Sequence, residues 1–489
     1  MRQLVLMVNG LEEQVGRLRA EARAREEALA GELAAERARA DGLAGRAEEL
    51  SRRLGKDSSN SSRPPSSDGP YRKPRDRSLR KPSGRRPGKQ PGAPSWTLRQ
   101  HPDPGQTVEC APPACRGCGA DLAGVPVLAE QKRQVFEAQP APPPRVTQYL
   151  VQSRQCPCCG EVSEGTAPAG VTGRVQYGPL VHASTALLTC AHYVPVTRAA
   201  DLVRALTGVK VSAGFAARAR GRAAALLAPF MDRVRELLAC VPVLSADETP
   251  ARAAGKLRYL HVACTEFLTA MHVADRSAAG IDAGGILPGY HGVLVRDGYS
   301  GYLHLSGSVH AWCGAHSLRD LKGLHDADPA GQSWAAAMAE VLLAANAAAH
   351  QARAARETQL SGDGQAGIRA RYRDAVARGI EANWASSTKL HRDGLTLAKR
   401  FGSYEDMILR FITDLAIPFT SNQAERDIRP VKIAQHAAGG TWRTLLGLAD
   451  FAVVRSYLST AAKWGIEPLD ALTRLFTGGP WLPPAAEPG

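Results

Sequence analysis

Near the start of the chain, apolar residues recur at alternating spacings of four and three, at Leu4, Val8, Leu11, Val15 and Leu18. After a weaker middle the rhythm returns at Leu43, Ala47, Leu50 and Leu54. This predicts a long helix over 4–54 carrying a coiled-coil seam with an irregular centre. A solitary solvated helix would leave that stripe in water, so self-association into a homo-oligomer is the expectation. Gly10, Gly16, Gly31, Gly42 and Gly45 weaken the helix. Helical periodicity returns over 176–240, where Thr197 to Leu206 predicts a short helix ended by Gly208 and Ser212 is placed to cap the next.

From Val241 the pattern becomes short apolar runs bounded by Gly, Pro and Asp, which is how sheet strands read. One run leads into Asp247, Tyr259 to Ala263 and Leu268 to Val273 supply two more, Gly292 to Arg296 leads into Asp297, and Ser308 to Cys313 supplies the last. Residues 331–400 revert to Ala-rich helix and 401–470 are mainly helical. Strands followed by helices indicate an α/β core with a helical insertion. The expected division is a coiled coil at 1–55, a linker at 56–99, a cysteine-bearing domain at 100–165 and a helical region at 166–240. The core follows at 241–327, interrupted by an insertion at 328–400 and resumed at 401–475, with a tail at 476–489.

Charge adds a partner to this picture. The formal net charge is +14, with 61 Lys+Arg against 47 Asp+Glu, which favours an anionic partner such as nucleic acid. Of those basic residues 49 are Arg, so coding bias in GC-rich DNA is the competing explanation. Between Lys56 and Arg99 there are 12 basic residues, three acidic ones and eight prolines, a composition that buries no core and predicts an extended linker. Such runs serve either as a solvated tether or as non-specific contacts to DNA phosphates. No charged-then-apolar leader opens the sequence, and no run approaches the roughly 20 apolar residues of a membrane span, so a cytoplasmic protein with no membrane partner is expected.

In a reducing compartment, clustered cysteines suggest metal rather than disulfides. Cys115-x-x-Cys118 and Cys156-x-x-Cys159 each straddle a tight turn, with Gly119 and Gly160 directly following. Two such knuckles can give four thiolates to one structural Zn²⁺. Cys110 and Cys158 are spare thiols nearby, and Arg133 to Val151 alternates enough to predict a hairpin between the knuckles. The helix from Thr197 to Leu206 and the one that Ser212 caps, which carries Arg218, Arg220 and Arg222, have helix-turn-helix spacing, which places Arg218 and Arg222 against DNA; helix pairs in plain bundles share that spacing.

Asp247 and Asp297 each end an apolar run, where carboxylates of neighbouring strands can converge. Two such carboxylates repel unless a divalent cation lies between them. A third acid, Glu425, falls in the first turns of a helix that Thr420, Ser421 or Asn422 can cap, with Arg426, Arg429 and Lys432 following as candidate phosphate ligands and Pro430 as a possible kink. An ordinary i,i+4 pair between Glu425 and Arg429 fits the same spacing.

These motifs, in this order, resemble the insertion sequence 66 family of bacterial transposases almost from end to end. The likeness is carried by Lys56-Asp-Ser-Ser-Asn-Ser-Ser-Arg-Pro-Pro-Ser-Ser-Asp68, by Arg133-Gln-Val-Phe-Glu137 and Cys156-Pro-Cys-Cys-Gly160, and by Ala246-Asp-Glu-Thr249 and Val295-Arg-Asp-Gly-Tyr299. It continues through Cys313-Gly-Ala-His316 with Leu318-Arg319, Asn422-Gln-Ala-Glu-Arg-Asp427 and Arg455-Ser-Tyr-Leu-Ser-Thr460. The resemblance implies a multidomain protein with an α/β ribonuclease H-like core, and Asp247, Asp297 and Glu425 as an acid triad holding Mg²⁺ or Mn²⁺. It further implies cleavage at insertion-sequence ends and strand transfer into target DNA, so that double-stranded DNA (terminal inverted repeats and target) is the partner, with two small accessory proteins encoded alongside. A metal nuclease on the same fold, or a decayed transposase that only binds DNA, are the alternatives. Two departures stand out: Thr420-Ser-Asn422 replaces the family's usual Asp-Asn-Asn, and Ala437-Ala-Gly-Gly440 replaces a frequent Ser-Gly.

Overall fold

The computed structural model describes residues 2–55, 98–138, 143–385 and 388–485. The basic linker expected at 56–99 lies almost wholly outside the described residues. The N-terminal helix α1 runs over Arg2–Gly55. Each knuckle is a closed turn: the N–H of Gly119 donates to the Cys115 carbonyl and that of Gly160 to the Cys156 carbonyl, both at 2.9 Å. Gly119 and Gly160 sit at φ +76° and +77°, the left-handed conformation such turns require. A two-stranded antiparallel pair, β1 (Ser153–Gln155) and β2 (Val162–Glu164), brackets the second knuckle. The hairpin expected over 133–151 does not form among the described residues. Its apolar side chains find no surface to cover them, Val135 and Val146 each being 88% exposed.

Helices α2 (Pro179–Ala186, continued by a π-helical turn to Ala191), α3 (Val196–Thr207), α4 (Ala213–Leu226) and α5 (Ala228–Cys240) follow. The expected punctuation is present: Gly208 ends α3 in the left-handed conformation and the Ser212 hydroxyl accepts the Phe215 N–H at 3.0 Å. The strands β3 (Val243–Ala253), β4 (Lys256–Cys264), β5 (Thr269–Ala274), β6 (Val293–Arg296) and β7 (Val309–Trp312) form one mixed sheet in the order β5-β4-β3-β6-β7. A short helix, α6 (Ala278–Asp282), follows β5. Strands β3, β4 and β5 pair antiparallel, and β6 and β7 lie parallel to β3.

One expectation is corrected here. Asp247 lies within β3 rather than at its end, because β3 continues to Ala253 as one arm of a hairpin with β4. Ala254 and Gly255, both at positive φ, make the two-residue turn whose twist matches the strands.

Helix α7 (Gly314–Ala327) leaves β7 directly. The insertion folds as α8 (Ser333–Ala354), α9 (Gly362–Trp384) and α10 (Lys389–Ser403), followed by the short α11 (Glu405–Ile408) and α12 (Arg410–Thr413). The chain ends in α13 (Asn422–Ala437), α14 (Leu445–Lys463) and α15 (Pro468–Gly478). Two large apolar clusters result. Leu244, Leu260, Phe230, Phe451 and Tyr457 lie in one, with α5, α13, α14 and α15; Val295, Trp312, Trp334 and Phe401 lie in the other, with α7 to α12. Among the described residues, one helix is long and apolar enough to cross a membrane by length and composition alone. It is α14, and 61% of its apolar stretch is buried, as in the core helix of a folded domain.

Candidate catalytic site

The parallel register of β3 and β6 decides where the two aspartates go. Ser245 lies opposite Val295, the last pair of the register, and Asp247 and Asp297 each follow two residues later, Asp297 just past the end of β6. The Asp247 carboxylate accepts the Glu248 N–H at 2.8 Å, and that of Asp297 accepts the Tyr299 N–H at 3.0 Å. Beneath Asp297 the fully buried Arg296 donates to the carbonyls of Asp297 (2.7 Å) and Tyr299 (3.0 Å), which fixes the turn.

Glu425 arrives from α13, which packs on β3 and β4 and holds this residue in its first turn. Ser421 is the N-cap residue, but its hydroxyl does not cap the helix; it is buried without a hydrogen-bond partner. The starts of α7 and α13 are tied instead by backbone: Gly314 N–H donates to the Phe419 carbonyl at 2.8 Å, and Ser421 N–H to the Cys313 sulfur at 3.2 Å. Gly314 is needed for that approach, since a Cβ there would stand 2.1 Å from the Phe419 ring. The consequence is that Arg319 meets Glu425 at 2.6 Å, with His316 at 3.8 Å from the same oxygen.

Electrostatics report how close the acids are. Burial is the main cause that pushes the Asp247 carboxyl up to about 8; the charge of His316 works against it, and those of Glu248, Asp297 and Glu425 add to it. Glu248, which the sequence reading passed over, has a side chain only 2% exposed. Burial and Asp297 raise its pKa, against hydrogen bonds from the Tyr302 hydroxyl (2.7 Å) and Arg276 (2.8 Å). Arg276 also lies 4.0 Å from Asp297 and stacks on Tyr299. Burial alone would lower His316, yet the neighbouring Cys313 thiol and the field of Asp247 hold it up at about 9. The thiol answers in kind: burial raises it, but His316 and the Ser421 N–H bring it to about 7.

The donor chemistry suits a hard divalent cation, since carboxylate oxygens are what such ions take and their mutual repulsion is what such an ion relieves. The acids are not closed on one point, however: among the described residues, no three His, Cys, Asp or Glu side chains form a cluster ready to hold a metal. The same holds for the cysteines. Cys115 with Cys118, and Cys156 with Cys159, form two knuckles, but the four sulfurs do not gather. The N–H groups of Cys118 and Gly117 lower the Cys115 pKa, and those of Cys159 and Cys158 lower that of Cys156, as thiolate turns do.

The basic candidates divide. Arg218, Arg426 and Arg429 are exposed. Lys432 donates to the Pro250 carbonyl, and Arg222 is taken up inside the helical region, stacked on Phe215 at 4.1 Å and donating to His182 at 3.2 Å and the Phe215 carbonyl at 2.9 Å. Helix α4 packs against α14, α2 and α15 as well as α3, the setting of the plain helix bundle that shares its spacing. Glu248 could have been found from the Asp-Glu dyad at 247–248; Arg276 carries no comparable sequence signal.

Residues 174–448, more than half of the chain, match a family of transposases, proteins that act on DNA. That family is the Transposase IS66 family, and the chain belongs to it. Residues 11–98 match a second family, one of unknown function. No curated protein matches the chain.

Proposed function

We propose that this protein is an insertion-sequence transposase that cleaves DNA at the element's ends and joins them to a target, with Asp247, Asp297 and Glu425 as its acid triad and a ribonuclease H-like core as its scaffold. The carrying observation is the β3–β6 register, which brings the chain to Asp247 and Asp297 two residues beyond the same paired position, with the charges of Asp297, Glu248 and Glu425 all bearing on the Asp247 carboxyl. Support for the fold comes from the sheet order: three antiparallel strands flanked by two parallel ones, with an acid on the central strand and its parallel neighbour. Mg²⁺ or Mn²⁺ held by the triad would supply charge neutralisation at the scissile phosphate and acidify the attacking water. The chain's part is positioning: Arg296 fixes the Asp297 turn, and the α7–α13 tie sets the height of Glu425. In cleavage, water would attack the phosphodiester, leaving a 3′-hydroxyl and a 5′-phosphate. In joining, that 3′-hydroxyl would attack a target phosphodiester, forming one P–O bond and expelling the target's own 3′-oxygen.

The test is to incubate the purified protein with Mg²⁺, a pre-cut DNA end from its own element, and target plasmid. Joined product is the expected result; cleavage without joining would mark a nuclease, and binding without either would mark a decayed enzyme. Two subsidiary readings stand beside this one. The knuckles are proposed to close on one Zn²⁺ through Cys115, Cys118, Cys156 and Cys159, and α1 to pair two copies through a stripe that includes Val15, Leu18, Leu43 and Leu50, all exposed. Full-length protein should then carry about one zinc per chain and sediment as a dimer or larger. Metal-free monomer would refute both.

A further inference from the structure

Resting on that acid site, we propose that Arg319 is a ligand for a DNA phosphate which, without DNA, lies on Glu425 and keeps the site open, so that DNA and the divalent cation promote each other's binding. The contact itself is short and charge-assisted, 2.6 Å from the Arg319 Nη2 to the Glu425 Oε1. It is not required to hold the two helices together, because the Gly314 N–H bond to the Phe419 carbonyl and the Ser421 N–H bond to the Cys313 sulfur already do so. The remaining contacts of Arg319 are local to its own helix, at the His316 ring (3.2 Å) and the Ala315 carbonyl (3.4 Å). Its side chain is about one-fifth exposed and that of Glu425 more than one-third, so both are reached from solvent.

A guanidinium and a divalent cation compete for the same carboxylate oxygens. With Arg319 in place, the Glu425 Oε1 is taken by a guanidinium, in keeping with acids that form no ligand cluster among the described residues. A guanidinium recognises a phosphate with the same two-pronged geometry it uses on a carboxylate. When a backbone phosphate takes Arg319, Glu425 is released to complete the cation site. Any such coupling is reciprocal: the factor by which DNA tightens the cation is the factor by which the cation tightens DNA. Arg276 stands in a matching position, bridging Glu248 and Asp297, but its target Glu248 is sealed from solvent, so it stays a structural clasp.

The experiment titrates Mn²⁺ into full-length protein, followed by electron paramagnetic resonance, with and without a random-sequence DNA duplex, the DNA-only signal being subtracted. In wild type the duplex should tighten Mn²⁺ by about tenfold, within the usual range of site-to-site coupling. Arg319→Ala should bind Mn²⁺ about tenfold more tightly than wild type without DNA, and the duplex should then add less than about twofold. Arg319→Gln, which keeps the length and loses the charge, should behave alike, and both should melt near wild type. Wild-type Mn²⁺ affinity and undiminished coupling in the two variants would overturn the proposal, as would full coupling produced by inorganic phosphate alone. Failure of the acid site itself looks different: Asp297→Ala would then bind Mn²⁺ as wild type does, whatever Arg319 carries.

Discussion

Asp297→Ala should cleave end DNA about a thousandfold more slowly than wild type, a loss of about 4 kcal/mol of transition-state stabilisation. The size follows from position. Asp297 follows β6 as Asp247 follows the last β3 residue paired with it, and its charge bears directly on the Asp247 carboxyl. The fold should survive the change, because the Asp297 carboxylate is itself a source of repulsion: it raises both Asp247 and Glu248. Removing it gives up the bond from the Tyr299 N–H, but Arg296 still holds the carbonyls of residues 297 and 299 through atoms the substitution does not touch. A melting temperature equal to or above wild type is therefore expected beside the lost activity. Equal cleavage by both proteins would reject the assigned triad outright.

What could be read from the sequence was what local chemistry decides. The apolar runs found the five strands of the main sheet, and Gly208 and Ser212 marked the break between α3 and α4 because a left-handed cap and a hydroxyl cap are local requirements. Asp297 was placed correctly after its strand for the same reason. Asp247 was not, because the continuation of β3 through Glu248, Thr249, Pro250 and Arg252 is polar and is held in place by β4, a partner the local pattern does not contain. Arg222 read as a surface cation and is instead stacked on Phe215, a choice made by the packing of α4 against other helices. The pairing of Arg319 with Glu425 spans 106 positions and could not be read at all. It exists because a glycine at 314 lets Phe419 approach, and only the folded chain shows that the two segments meet.

The largest stability effect is expected two residues beyond Glu425. Asp427 is buried, its side chain 6% exposed, and it meets the Lys463 ammonium at 2.7 Å. It also accepts from Thr269 (2.8 Å), Gln423 (2.9 Å) and Ser459 (3.1 Å), which ties α13 to β5 and α14 at once. Asp427→Ala would leave Lys463, 11% exposed, without a counter-charge among the carbonyls of Thr265 and Leu268 and the Thr269 hydroxyl. Breaking one side of such a pair costs about 3–5 kcal/mol, because the surviving charge stays desolvated. For a core of this size that should lower the melting temperature by roughly 10 °C. The double variant Asp427→Ala, Lys463→Met removes both charges and replaces the stem with an apolar one, so it should regain most of the loss. That recovery separates an uncompensated charge from a simple packing defect. If the double variant melts no higher than the single one, the network acts through shape rather than charge, and Glu425 owes its placement to the apolar underside of α13, where Ala424, Ile428 and Val431 are buried.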